Sequence, residues 1–327
     1  MKTYAIDDLP KPGDDRWGWP WTEAPPPLPP AAPNGQPWPR ISIVTPSFNQ
    51  AQYLEETIRS VLLQGYPNLE YFVLDGGSTD GSVDILRRYD GFLHGWSSER
   101  DKGQSDAINK GLAKSTGAIV NWLCSDDVLL PGALGHVARA FGEQPGCDIV
   151  AGAGKYQFDD HSEPDYVSRR AKDDLDFLPG QNKIVQPSCF FRRALLQRSA
   201  AVRTDLHYVM DAELWCYFMA QNAKWSFSPE VLSVYRITGA NKAFTGRRKI
   251  LQEFERIYNE YAGERIPLTF WMRKFWRPLD RAGRAPHPGV LQRVSFLTAR
   301  AVSLFLRGFY PRQRIQGLQT AFMWYDA

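Results

Sequence analysis

Between residues 41 and 153 the chain changes its hydrophobic period again and again, and that rhythm restricts its fold more than anything else in it. ISIVT (residues 41–45) is a short β-branched run closed by Pro46, which reads as a buried strand. NQAQYLEETIRSVLLQG follows, with Leu54, Ile58, Val61 and Leu62 at helical spacing and Gly65 as a stop. LEYFVLD is a second strand, and GGSTDGSVDILRRY turns into a second helix that Thr79 or Asp80 can cap. FLHGWSSE gives a third strand, residues 105–115 a helix and AIVNWLC a fourth strand. Residues 132–143 give another helix and CDIVAGA a fifth strand. Such alternation predicts an α/β protein with a Rossmann-like, doubly wound, mostly parallel sheet. Right-handed crossovers then put helices on both faces.

The flanks read differently. Residues 1–39, with WGWPWTEAPPPLPPAAP, form a Pro/Trp-rich arm. Prolines there remove backbone donors and favour extended geometry. The arm is expected outside the core, pinned by Trp17, Trp19 and Trp21. Residues 40–245 make the main domain, and 246–327 a basic, mostly helical C-terminal extension. Within the main domain the alternation loosens after residue 155. PSCFF and WSFSPEVLSVYRI read as strands around a helix near residues 212–221.

Charge is uneven. From Glu264 onward there are 11 Lys+Arg against three Asp+Glu, a net +8, so the residues before them carry −5 of the overall +3. So small a total gives no reason to expect nucleic acid. A basic tail suits an anionic membrane surface. VLQRVSFLTARAVSLFLRGF puts Arg293, Arg300 and Arg307 near one helical face and Val290, Val294, Ala301 and Phe305 on another, as an interfacial helix would. Packing of that apolar stripe on the main domain is the equal alternative. The four cysteines, Cys124, Cys147, Cys189 and Cys216, are far apart in apolar contexts, which suits reduced thiols rather than a metal knuckle. No signal pattern or membrane-spanning run stands out, so a cytoplasmic location is expected, peripheral at the inner face of the membrane if the tail docks there.

In a doubly wound sheet, ligands bind at the C-terminal ends of the strands. Four polar clusters fall there: TPSFN (45–49), DGGSTDG (75–81), SERDKGQSD (98–106) and SDD (125–127). Taken singly, Asp75 with Gly76 and Gly77 is a tight turn. Asp106 and Lys110 are a solvated i,i+4 pair. SDD is harder to dismiss. In VNWLCSDDVLLPG two adjacent carboxylates sit between apolar runs, where they repel and resist dehydration. A hard divalent cation, Mg²⁺ or Mn²⁺, carrying a diphosphate would explain them. Walker, dinucleotide, nucleophile-elbow and zinc-protease signatures are absent.

Together these segments resemble glycosyltransferase family 2, whose members have the GT-A fold. TPSFNQAQYLEETIRSVLLQGYPNLEYFVLDGGSTDGSVDIL is similar to the family's opening. SERDKGQSDAINKGLAKSTGAIVNWLCSDDVLLPGAL is similar to its second half, with SDD in the place of the DxD-type metal motif. The likeness spans roughly residues 40–240. It implies an inverting transfer from a nucleotide-diphospho-sugar, usually UDP-linked, to a hydroxyl of a glycan or lipid-linked acceptor. Cell-surface polysaccharide or glycolipid synthesis would be the setting. By the resemblance Pro46, Phe48 and Asn49 line the base pocket, and Thr45 lies near the nucleotide or donor. Asp75 bonds the uracil beside Gly77. Asp101, Gln104, Asp106 and Lys110 lie near the nucleotide or donor sugar. Asp126 reaches the ribose or a water, Asp127 the metal, and Ser125 lies at the nucleotide or donor. In VMDAELWCYF, Asp211 takes the general-base position, with Glu213 its rival and a helix-capping role the bland alternative. QPSCFF matches a segment beside the sugars. The family's histidine after the last strand is missing from VYRITGANKAF, so its role falls to Arg236, Asn241, Lys242 or nothing, and of these Arg236 and Lys242 suit a grip on the diphosphate. Two rivals remain at this stage: a non-catalytic nucleotide-sugar-binding or assembly protein of the same fold, and a nicotinamide dehydrogenase, which the missing glycine fingerprint disfavours.

Overall fold

The structure, a computed structural model, describes residues 3–159, 165–168, 184–239, 241–242 and 246–261. The tail with the Val290–Phe309 stripe lies outside the described residues, and so do most of residues 160–183.

Among the described residues nine strands form one sheet: β1 Ile41–Ser47, β2 Leu69–Asp75, β3 Gly95–Ser98, β4 Ile119–Trp122, β5 Val128–Leu129, β6 Ile149–Phe158, β7 Tyr166–Ser168, β8 Cys189–Arg192 and β9 Trp225–Ile237. Their order is β3-β2-β1-β4-β8-β6-β9-β5, with β7 paired to β6. The helices are α1 Ala51–Leu62, α2 Ser82–Arg88, α3 Gln104–Lys114, α4 Ala133–Glu143, α5 Met210–Ala220 and α6 Arg247–Tyr261.

The half from β3 to β4 is wholly parallel, as the alternating sequence predicts. Beyond β4 the sheet becomes mixed. The strand after α4 is separated from β4 by β8, which runs antiparallel to both. Every residue of β1 is buried, because helices cover both faces of a central strand. Close helix-on-sheet packing needs Gly111 on α3, where a Cβ would collide with Val44 and Leu74.

The arm contributes more than a surface strap. Leu9, Trp21 and Trp38 are buried, and Leu9 and Trp38 belong to the hydrophobic core with Ile41, Leu54 and Tyr66. Trp19 Nε1 donates to the Leu129 carbonyl at 2.8 Å and Trp38 Nε1 to that of Pro29 at 2.7 Å, so the buried edges of both indoles are satisfied. Trp17, expected as a third pin, is 82% exposed.

The described residues fall into two compact units. All nine strands and α1–α4 belong to the first; α5 from Asp211 onward and α6 belong to the second. Among the described residues no helix is long and apolar enough to cross a membrane.

Candidate active site

The loops after β1 and β2 are laced together. Asn49 sits at φ 51°, in the left-handed region that asparagine tolerates. From there its N–H donates to Ser78 Oγ at 2.7 Å and its Oδ1 accepts from the Thr79 N–H at 2.9 Å. Asp80 binds the first amide of α1 (Ala51 N–H to Oδ2, 2.8 Å) and the amide and hydroxyl of Ser82 at the start of α2 (3.1 and 2.7 Å). One carboxylate thus serves two helix N-termini.

Asp75, only 2% exposed, shapes the glycine turn. Its Oδ2 accepts from the amides of Gly77 and Ser78 and from Ser98 Oγ, and its Oδ1 from Ser78 Oγ at 2.5 Å. Gly77 turns at φ 83°. The carboxylate of Asp101, on the loop after β3, lies directly over Gly76, where a Cβ would stand 3.0 Å from Oδ2. Three strand ends therefore meet within a few ångströms.

The fourth is the SDD loop. Asp127 is buried and its Oδ1 accepts the Arg236 amide at 3.1 Å. Burial first, and then the charge of Asp126, push the Asp127 carboxyl well above the usual range; burial likewise raises Asp126. Burial, then the charges of Asp127 and Asp126, also keep the nearby Tyr235 hydroxyl protonated far above its ordinary value. A desolvated pair of carboxylates calls for positive charge. Cys124 Sγ and one oxygen each from Asp126 and Asp127 lie within 4.8 Å of one another. The two carboxylates suit a hard cation such as Mg²⁺ or Mn²⁺. The thiol is a soft donor that suits neither, and it instead accepts from Gln104 Nε2 at 3.1 Å. The residues present therefore fit a divalent metal through Asp126 and Asp127.

What holds that loop is a polar stripe the sequence reading passed over. The Thr57 hydroxyl reaches the carbonyls of Ser125 and Asp127 at 2.9 and 2.8 Å. Ser60 Oγ accepts from the Leu129 amide at 3.2 Å. Gln64, just past α1, donates to the Leu130 carbonyl at 3.0 Å and accepts from the Leu134 amide at 3.2 Å. Thr57, Ser60 and Gln64 are spaced three and four apart, so they form one helical row. That row, running beside Ile58 and Val61, was the signal available in the sequence.

The other predicted residues divide. Thr45 is fully buried and pairs with the Tyr71 hydroxyl at 3.0 Å, and Pro46 lies within β1, while Phe48 is 59% exposed beside them. Asp106 takes the Lys102 amide at 3.1 Å and Lys110 at 3.3 Å; the amide bond above all lowers its pKa. Lys110 also reaches Glu99 at 3.4 Å, so it forms an exposed ion-pair cluster. Ser125 is buried. QPS (186–188) is a buried 3-10 turn clamped to β4 through Gln186 Nε2, which donates to Asn121 Oδ1 and the Trp122 carbonyl.

The guanidinium of Arg236 pairs with Glu56 at 2.9 Å and lies 4.7 Å from the Tyr53 ring centre. Tyr53 donates to Asp159 at 2.6 Å, and its hydroxyl is pushed up to about 12 by burial and by that carboxylate. Tyr53, Glu56 and Asp159 were not singled out in the sequence. Their partner lies far along the chain, and no local pattern marks them.

Asp211 and Lys242 belong to the second unit. Asp211 lies in the first turn of α5 and is half-buried. Its rival Glu213 is completely buried and accepts the Tyr261 hydroxyl at 2.6 Å. Burial and the charges of Glu213, Asp211 and Glu260 raise the Cys216 thiol to about 12. All four cysteines are free thiols.

Known proteins resemble this chain in sequence and in fold. The family model "Glycosyl transferase family 2" matches residues 42–216. An uncharacterized glycosyltransferase of Rickettsia prowazekii is 27% identical over 230 residues, covering 68% of this chain and 71% of its own. The putative teichuronic acid biosynthesis glycosyltransferase TuaG of Bacillus subtilis is 41% identical over 92 residues, 27% of this chain and 36% of its own. Among solved structures, the mannosyltransferase PcManGT of Pyrobaculum calidifontis, in complex with GDP-Man and Mn²⁺, superposes with a TM-score of 0.57 at 20% identity, over 93% of this chain and 89% of its own. TarS 1-349 of S. aureus, in complex with UDP, gives 0.51 at 18%, over 68% and 70%. Both share the fold. The matched segment covers more than half of the 327 residues, running from the second residue of β1 into the middle of α5, and contains the glycine turn, the SDD loop and Asp211. The chain is therefore a glycosyltransferase and belongs to glycosyl transferase family 2.

Proposed function

We propose that this enzyme transfers a sugar, with inversion, from a nucleoside-diphospho-sugar, UDP-linked in our reading, to a hydroxyl of a glycan or lipid-linked acceptor in cell-surface polysaccharide or glycolipid synthesis. The observation that carries the reading is the adjacent Asp126–Asp127 pair, Asp127 buried and Asp126 half-buried, at the rim where the strand ends meet. The polysaccharide setting follows the name of TuaG, a putative teichuronic acid biosynthesis glycosyltransferase, and UDP follows the nucleotide bound to TarS.

In this reading Asp127 would hold Mg²⁺ or Mn²⁺ with Asp126 beside it reaching the ribose or a water, and Thr57 fixes the backbone that carries them. When bound, the ion neutralises the diphosphate leaving group. Asp75 keeps one accepting position on Oδ1, which suits the imide N–H of a uracil, between Asn49 and Asp101. Asp211 takes the proton of the acceptor hydroxyl as its oxygen bonds the anomeric carbon; the bond to the diphosphate breaks and its electron pair leaves with that group. Glu213 is disfavoured as base because it is buried against Tyr261. Arg236 and Lys242 supply positive charge toward the departing diphosphate, Arg236 by giving up Glu56. We further place the domain limits at 1–39, 40–245 and 246–327, with the basic tail at an anionic membrane.

The test is a thermal-shift screen with UDP-, GDP- and dTDP-sugars, with and without Mn²⁺, followed by turnover of the best donor. At saturating donor, about 100 Kd, binding adds roughly 2.7 kcal/mol to stability. Asp127→Ala abolishes the metal-dependent shift. Asp211→Ala keeps the shift and loses turnover. A metal-dependent shift that survives Asp127→Ala refutes the assignment.

A further inference from the structure

A row of tyrosines crosses the sheet outward from the SDD loop. Val128 on β5 pairs with Val234 on β9, so Asp127 stands one step along, beside Tyr235. Tyr235 is in register with Tyr156 on β6, and Tyr156 with Tyr166 on β7. The rings touch: 5.2 Å between the centres of Tyr235 and Tyr156, then 4.8 Å between Tyr156 and Tyr166, which stack within 6° of parallel. Phe158, two residues on from Tyr156 and so on the same face, adds its ring 6.5 Å from Tyr166.

Position and chemistry both need an explanation. Tyr166 is 50% exposed, at the outer end of a row whose inner end adjoins the carboxylates. On the same face of β6, Val185 covers Gly154, and Ser188 Oγ meets Ser233 Oγ at 2.6 Å, so the row begins where the buried QPS turn ends. Aromatic rings have an electron-rich face, and the hydroxyl adds a polar edge. A pyranose is the complement: one face offers polarised C–H groups and the rim offers hydroxyls. An acyl chain would gain nothing from the tyrosine hydroxyls.

We propose that Tyr235, Tyr156 and Tyr166 form a saccharide platform that leads the non-reacting sugars of a glycan acceptor away from the transfer site. This rests on the reading that the Asp126–Asp127 loop holds the donor, and it names the acceptor as one with at least two sugars. Its continuity with that loop favours saccharide over a protein or lipid partner.

Saturation-transfer-difference NMR on the full chain, with cellotetraose, maltotetraose, N-acetylchitotetraose and mannotriose as probes, tests it. At least one probe receives saturation on the ring C–H protons of one pyranose face. Tyr166→Ala weakens that probe about tenfold, whereas Tyr166→Phe, which keeps the ring face, stays within about twofold. The UDP–Mn²⁺ thermal shift is unchanged in both variants, so loss of the platform and failure of the donor reading give different results. Absence of transfer to all four probes overturns the proposal, as does equal transfer with Tyr166→Ala. Reduced pelleting of Tyr166→Ala with anionic vesicles, its saccharide contacts intact, overturns it in favour of a lipid surface.

Discussion

Replacing Arg59 by Met tests whether the N-terminal arm is held by one buried cation. Arg59 lies in the middle of α1 at 0% exposure. Its Nε donates to the Pro20 carbonyl at 3.0 Å, Nη1 to Pro10 at 2.9 Å and Nη2 to Trp21 at 3.2 Å. Nη1 also donates to the Tyr89 hydroxyl at 3.2 Å, and the group lies 5.4 Å from the Trp21 ring centre. Three of the partners are arm carbonyls. Each hydrogen bond from a charged donor contributes about 1.5–3 kcal/mol. Burying the guanidinium costs several kcal/mol, and that cost disappears with the charge. Methionine refills most of the stem but leaves three carbonyls facing an apolar side chain. We expect a net loss of about 3 kcal/mol, or roughly 6–12 °C in Tm. The loss is localised, so limited proteolysis should cut within residues 10–21 well before the sheet. Arg59→Lys should fall between, since one ammonium cannot fork to three carbonyls. Urea denaturation gives the free energy, and mass spectrometry of the digest gives the site. A variant within about 0.5 kcal/mol of the parent, its arm still protected, would falsify the reasoning and leave aromatic packing as the sole anchor.

Thr57→Val keeps the shape of the side chain but removes the hydroxyl under the SDD loop; it should cost about 1–2 kcal/mol in urea denaturation and shrink the UDP–Mn²⁺ thermal shift. If neither changes, Thr57 does not position that loop. Glu70 is buried, which alone raises its pKa, but bonds from Ser42 Oγ and from the amide and hydroxyl of Thr116 outweigh burial and lower it. A lowered folded pKa gives stability that is present above the unfolded pKa, about 4.3, and lost as pH falls toward the folded value. The stability gap to Glu70→Gln should therefore be flat above about pH 5 and narrow below about 4.3; a gap that does not change with pH would sink this. Gly111→Ala improves helix propensity yet should destabilise by about 1–3 kcal/mol, because its Cβ meets Val44 and Leu74. A stabilised variant would show that α3 can shift off β1.

The alternating strands and helices were legible because each is written in a few neighbouring residues. β2 and β9 have the limits that their apolar patterns suggest. The SDD loop was legible too, since paired carboxylates between apolar runs are conspicuous in any chain. The arm was misjudged for a physical reason: a Pro-rich segment has no period of its own, and its burial depends on Arg59, Leu129 and Tyr66, which are distant in sequence. The place of β6 in the sheet was not legible for a related one. Nothing in CDIVAGA says that β8 will insert beside β4.

By itself the sequence determined the α/β alternation, the four polar strand ends and the carboxylate pair, because side-chain period and turn chemistry act over a few residues. Tertiary structure alone decided that Thr57 meets the SDD loop and Gln64 the segment after β5, that Glu56 takes Arg236 and that three tyrosines line up beside Asp127. Those contacts depend on register and crossover, which bring together residues dozens to more than a hundred positions apart, and no local pattern records such separations.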